Sequence, residues 1–306
     1  MKSISLMFSG QGAQAPGMGK DLYDVSPAAK AIFDRANDIL SRDIAGLCFN
    51  GSVEDLTACA NCQPAIFTMS QAALAALKER IGDFTPAATG GLSLGEYSAL
   101  VAANVLSFDD ALRLVAKRGE LMDKACRDTQ GGMAAVLGGD PDKIAEICAA
   151  CGIDVANYNC PGQIVISGES AKVETAVAKL TEQEFRVVTL QVAGAYHSRV
   201  MTPAAEAFTA ALAACSFASP ACPIAQNFPG DFVESPTVIS ENLRQQICGS
   251  VRWEACLRKL MAKCDVLVEC GPGNVLCGFV KRTDKTFKAL PINSVETLEK
   301  AIAALS

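Results

Sequence analysis

Apolar positions along this chain fall into two patterns. Short continuous runs, residues 4–8 (ISLMF) and 265–270 (DVLVEC), have the length and composition of buried strands. Longer stretches place apolar residues at i, i+3 and i+4, the spacing of a helix with one buried face. That spacing predicts a helix over 27–40, where Ser26 caps and Pro27 opens the first turn. It predicts another over 63–81, apolar on most sides and therefore buried. Further helices are expected over 96–106, over 108–126 behind a capping Ser107, and over 201–213, 238–248, 251–263 and 274–282. A short strand at 289–293 (ALPIN) precedes a last helix from Val295.

Between residues 132 and 190 the pattern becomes strand–helix–strand–strand–helix–strand. This βαββαβ order is that of a ferredoxin-like unit. Gly131, Gly132 and Gly194 bracket it and are expected to act as hinges. The alternation elsewhere predicts an α/β protein. The expected organisation is a large domain built from residues 1–128 and 194–306, with a small subdomain, 129–193, inserted in it.

The helix over 108–126 contains one misfit. Its inward stripe is Ala111, Leu114, Val115, Leu121 and Met122, and Arg118 falls in the middle of it. A buried guanidinium needs a partner. Either Arg118 passes the core to reach solvent or a structural carboxylate, or its planar fork clamps a substrate carboxylate.

Composition narrows the classes. Half of the 306 residues are hydrophobic, enough for a sizeable core. A net charge of −6 argues against a nucleic-acid-binding surface. No uncharged apolar run approaches the roughly 18 residues of a membrane span, and MKSISLMFSGQG lacks the apolar core of a signal peptide. The protein is expected to be soluble and cytoplasmic. The 14 cysteines include two C-x-x-C pairs, Cys59/Cys62 and Cys148/Cys151, in different predicted elements. They read as reduced, small core residues rather than as ligands, and no metal site is expected.

The chemistry gathers around Gly91-Leu92-Ser93-Leu94-Gly95. This is the G-x-S-x-G spacing of a nucleophile elbow, where a strand turns sharply into a helix and presents a serine hydroxyl at the helix N-terminus. The helix is predicted; the preceding PAATG is a poor strand by composition. His197 is the one histidine in the chain, so it is the one candidate base for that hydroxyl. It follows a strand end, as do Ser93 and Gln11, the latter in the loop Ser9-Gly10-Gln11-Gly12. An ordinary esterase would add an acidic partner, for which Asp109, Asp110, Asp128 and Asp154 stand open, and a non-catalytic binding module also stays open. Lys281, Arg282, Lys285 and Lys288 form a basic run on an acidic chain, a solvated face or a dock for an acidic partner.

These pieces resemble the malonyl-CoA:acyl-carrier-protein transacylases nearly end to end. The matching stretches are FSGQGAQAPGMGKDLY, QPAIFTMSQAAL, SLGEYSALVAANVLSFDDALRLVAKRGELM, MAAVLG, NYNCPGQIVISG, GAYHSRVM and VECGPGNVLCGFVKR. The resemblance implies an α/β-hydrolase-like domain with a ferredoxin-like insertion. It implies Ser93 as nucleophile, His197 as base and the backbone N–H groups of Gln11 and Leu94 as oxyanion hole. It also implies Arg118 on the malonyl carboxylate, the Gln246 carbonyl orienting His197, and Met122 and Tyr196 shaping the acyl pocket. Lys281, Arg282 and Lys285 would dock an acidic acyl carrier protein. Malonyl-CoA would be substrate and CoA product, with no bound cofactor and neither nucleic acid nor membrane as partner. The chain departs from the family at Leu92, commonly His, at Tyr196, usually Phe, and at Gly249-Ser250, often Asn-Pro.

Overall fold

The computed structural model describes residues 2–192 and 194–305. In chain order the first elements are β1 (Ile4–Phe8), α1 (Lys20–Val25), α2 (Pro27–Leu40), α3 (Ile44–Asn50), α4 (Cys59–Ile81), β2 (Thr89–Gly91), α5 (Gly95–Ala102) and α6 (Phe108–Asp128). Then come β3 (Gly131–Leu137), α7 (Pro141–Cys151), β4 (Asp154–Cys160), β5 (Gln163–Glu169), α8 (Ser170–Glu182) and β6 (Arg186–Thr189). The chain closes with α9 (Thr202–Ala213), β7 (Ile224–Gln226), β8 (Asp231–Val233), α10 (Pro236–Cys248), α11 (Trp253–Met261), β9 (Val266–Cys270), α12 (Val275–Thr283), β10 (Lys288–Ile292) and α13 (Val295–Leu305).

The fold is α/β, with two sheets. Six strands run in the order β10-β9-β1-β2-β7-β8, parallel except for the edge hairpin β7–β8. A parallel sheet covered on both faces needs apolar side chains on both, which is why β1 and β9 read as unbroken apolar runs. Leu6 and Phe8 face the large core with α2, α4 and α6, whereas Met7 faces a smaller one with Trp253, Leu257 and Leu276. The four-stranded sheet, β4-β5-β3-β6, is antiparallel. Ala134, Val136 and Ile166 pack on α7 and α8, and Met133, Ala135 and Val165 on its other face join the large core.

Where boundaries moved, tertiary partners moved them. The 63–81 helix starts at Cys59 instead, because Asp123 accepts the Cys59 and Ala60 N–H groups at 2.9 and 2.7 Å. Pro64 has no N–H for the Ala60 carbonyl, and Arg42 Nη1 donates to it at 3.1 Å. The 96–106 helix stops at Ala102, since Ala103 and Val105 carbonyls accept from Ala221 and Ala218 and Asn104 turns left-handed. Gly131 and Gly132 have no positive φ. Two of the three bracketing glycines sit in close contact: a Cβ on Gly131 would lie 2.3 Å from the Ala195 nitrogen, and one on Gly194 2.1 Å from Cys126 Sγ. The expected subdomain limit at 193 lies outside the described residues.

Candidate active site

The poor strand before the serine is rich in glycine because its neighbours press on it. A Cβ on Gly90 would come within 3.0 Å of Leu260, and one on Gly91 within 2.0 Å of the Gly95 backbone. A Cβ on Gly95 would in turn meet the Phe8 carbonyl oxygen at 2.1 Å. Gly91 therefore packs on Gly95 and Gly95 on the end of β1, so each glycine of the spacing marks a place with no room for a Cβ. Ser93 between them has φ 51°, a left-handed conformation costly for a residue with a Cβ. His197 is also left-handed, at φ 57°.

The Ser93 hydroxyl lies 2.7 Å from His197 Nε2, and His197 Nδ1 lies 2.7 Å from the Gln246 carbonyl. A carbonyl only accepts, so Nδ1 carries the proton and Nε2 presents its lone pair to the serine. Both His197 and Gln246 are buried. Burial, and then the Arg118 charge, push the His197 pKa down to about 3, against the pull of the Gln246 bond. The ring thus stays neutral, a base rather than an imidazolium. Asp109 pairs with Arg35, Asp110 with the Ser107 cap, Asp128 with Lys124 and Asp154 with Arg199. None of the four carboxylates meets the histidine, which removes the acidic triad partner of an ordinary esterase.

Arg118 is 1% exposed and points inward. Its Nη1 donates to Gln63 Oε1 at 2.8 Å, and its Nη2 to Ser93 Oγ at 3.0 Å and Gln246 Oε1 at 3.1 Å. Nε has no partner among the described residues. Among the described residues no carboxylate bonds the guanidinium directly; the nearest acid in the network is Glu96, one amide away through Gln246. Glu96 is fully buried and accepts from Gln226 Nε2 (3.0 Å), the Asn227 backbone (2.7 Å) and Gln246 Nε2 (3.1 Å). Burial pushes its pKa up to about 7 despite those donors.

A cavity of about 500 Å³ opens onto the pair. Gln11, Leu92, Ser93, Met122, Tyr196 and His197 line it from the large sheet side, Asn157, Asn159 and Gln163 from the small sheet, and Val275 and Phe279 from α12. Leu94 follows the serine as the N-cap of α5, so its N–H belongs to the helix end that lacks intrahelical acceptors. The Tyr196 hydroxyl accepts from Cys59 Sγ at 3.1 Å, and the same thiol lies 3.5 Å from the Gln11 side-chain amide. All four residues of the basic run, Lys281, Arg282, Lys285 and Lys288, are exposed. Arg282 Nη1 reaches Gln163 Oε1 at the cavity rim, 2.8 Å away, while Lys288 turns to the Ala304 carbonyl. All 14 cysteines are free, and among the described residues no group of His, Cys, Asp or Glu is placed to hold a metal ion. None of the described helices is long and apolar enough to cross a membrane.

Sequence reasoning missed Gln63, Glu96 and Asn227. Glu96 could have been found as Arg118 was, being the one charge on an otherwise apolar helix; Gln63 and Asn227 carry no comparable signal.

A serine on a glycine-flanked elbow, a neutral histidine and an inward arginine are the groups that acyl transfer through a serine would use. The acyl transferase domain model matches residues 6–302. A malonyl CoA-acyl carrier protein transacylase of Bacillus subtilis is 42% identical over 100% of this chain and 98% of its own. The crystal structure of the Clostridium perfringens transacylase of that name superposes with a TM-score of 0.94 at 35% identity, covering 99% of this chain and 97% of that one. A malonyl-transacylase solved in complex with a type II PKS acyl-carrier protein gives a TM-score of 0.94 at 33% identity, with 99% of each chain covered. The chain belongs to the acyl transferase family, among its malonyl CoA-acyl carrier protein transacylases, and is an acyltransferase.

Proposed function

We propose that this enzyme moves a malonyl group from malonyl-CoA to the phosphopantetheine thiol of an acyl carrier protein through an ester on Ser93. The observation that carries the reading is the meeting of His197 Nε2 and Arg118 Nη2 on one serine oxygen. His197 takes the hydroxyl proton as Ser93 Oγ adds to the thioester carbonyl. The N–H groups of Gln11 and Leu94 hold the oxyanion, where one such donor is worth about 10²–10³ in rate. Collapse expels the CoA thiolate, which leaves as thiol with the proton from His197, and a malonyl-serine ester remains. The carrier thiol then gives its proton to His197 and repeats the addition on the ester, and Ser93 regains a proton as it leaves.

Arg118 selects the acyl group. Its Nη2 contact with Ser93 Oγ is the one a malonyl carboxylate would displace, taking the two N–H groups along the Nη1–Nη2 edge. Met122 and Tyr196 bound the space beside it. The exposed Lys281, Arg282 and Lys285 offer an acidic carrier a docking face close to the cavity rim. The antiparallel order β4-β5-β3-β6 supports reading residues 129–193 as a ferredoxin-like insertion in an α/β-hydrolase-like domain. Neither half-reaction needs a cofactor, and its product would supply fatty acid chain elongation. Intact-mass measurement after mixing with malonyl-CoA tests the proposal. Wild-type protein should gain one malonyl group on Ser93 and pass it to added holo-carrier; an unmodified serine sinks the reading.

A further inference from the structure

The parallel ladder of β2 and β7 pairs Thr89 with Ile224 and Gly90 with Ala225, and then runs out. β2 keeps Gly91 paired with Phe8 of β1, but on its β7 side no pair follows Gly90 and Ala225 before the chain turns into the elbow. The Asn227 side chain stands in that place. Its Nδ2 donates to the Gly91 carbonyl at 2.8 Å, and its Oδ1 accepts the Ser93 N–H at 2.6 Å. One donor and one acceptor across residues 91 and 93 is what one residue of a neighbouring parallel strand would supply with its own N–H and C=O. The amide is itself fixed: Asn227 is wholly buried, its N–H bonds Glu96 Oε2 at 2.7 Å and its carbonyl accepts from Arg252 at 2.9 Å.

We propose that Asn227 is a positioning residue for the acyl transfer described above, on which reading its catalytic part rests: its side-chain amide completes the sheet and holds the Ser93 backbone in the left-handed turn that aims Oγ at His197. The Ser93 carbonyl is held from the other side by Gln246 Nε2 at 3.0 Å, so both polar backbone groups of the nucleophile are tied by side chains from β7's end and α10. A left-handed serine is costly by itself; two bonds over-determine it. Because the Ser93 N–H is occupied, it is withheld from the oxyanion, which is left to Gln11 and Leu94.

Two measurements test this. The first is single-turnover acylation by malonyl-CoA, scaled to titrated folded protein. Asn227→Ala should acylate about 10²-fold more slowly at saturation, the scale of an ångström-sized misplacement. KM should stay within about twofold, because the cavity contacts are untouched. Loss of fold alone would lower the titrated fraction and leave the rate per site unchanged. The second needs no variant: hydrogen exchange at the Ser93 amide of wild-type protein should be slowed at least about a thousandfold relative to an unprotected chain. An unchanged rate per site in Asn227→Ala, or rapid exchange at Ser93, overturns the proposal. Failure of wild-type protein to gain malonyl mass would instead sink the acyl-transfer reading, whatever the exchange shows.

Discussion

Replacing Gly95 with alanine adds one methyl group at the most crowded point of the elbow. The position has no positive φ, so the perturbation is one of space and not of backbone conformation. An ideal Cβ there lies 2.1 Å from the Phe8 carbonyl oxygen, 2.8 Å from its carbon and 2.9 Å from the Ser9 carbonyl oxygen. All three are backbone atoms, which cannot rotate aside as a side-chain tip can. Ordinary contact begins at 3.4 Å, so α5 and the end of β1 have to part by more than an ångström. The Phe8 carbonyl also accepts the Leu92 N–H at 3.1 Å, and that bond opens with them. Overpacking of this kind costs about 1–3 kcal/mol, and moving Ser93 by about an ångström from His197 costs about 10²-fold in rate. The assay is rapid-quench acylation by malonyl-CoA beside thermal melting. Gly278→Ala is the matched control: its Cβ meets nothing within 4 Å on helix α12. It should leave acylation unchanged and raise stability by about 0.5–1 kcal/mol. Gly95→Ala with wild-type acylation and melting would refute the steric account of the elbow.

Other outcomes follow from the same geometry. Arg118→Ala should cut malonyl loading relative to acetyl loading by about 10²-fold, the scale of a lost charge-assisted pair; equal loading rates before and after would show that the guanidinium does not select the acyl group. Two buried groups should set the pH dependence of stability in opposite senses. His197, lowered from 6.5 to about 3, contributes fully above about 6.5 and loses that contribution as pH falls toward 3. Glu96, raised from 4.5 to about 7, contributes fully below about 4.5 and loses it as pH rises to 7. Glu96→Gln removes the second slope, so its stability relative to wild type should rise between about pH 5 and 7 by on the order of 1–3 kcal/mol. A constant difference, measured by denaturant melts across that range, would contradict it. Reversing the charges of Lys281 and Lys285 should raise the KM for carrier and weaken its salt dependence, while leaving Ser93 loading within about twofold; an unchanged carrier KM would remove the patch as a dock.

Much of this protein follows from local pattern. Residues 4–8 and 27–40 form the expected strand and helix, because a buried parallel strand and a Ser-Pro-capped amphipathic helix each leave a signature within a few residues. The inward turn of Arg118 was likewise legible, since a charge on an apolar stripe breaks a period that the rest of the helix defines. The meeting of Ser93 with His197, 104 positions apart, was open to elimination because the chain has one histidine. Short elements were not: α1, α3, β7 and β8 are too brief for periodicity to register. The start of α4 at Cys59 depends on Asp123 of α6 and on Arg42 in the turn between α2 and α3. Part of the polar bed beneath the serine was also out of reach. Gln63 and Asn227 come from a helix and a strand end, and each is an ordinary polar residue until burial denies it water. Local chemistry determined which residues could react; only the tertiary packing decided which amides and carboxylates hold them, because a hydrogen bond between distant positions leaves no period in the chain.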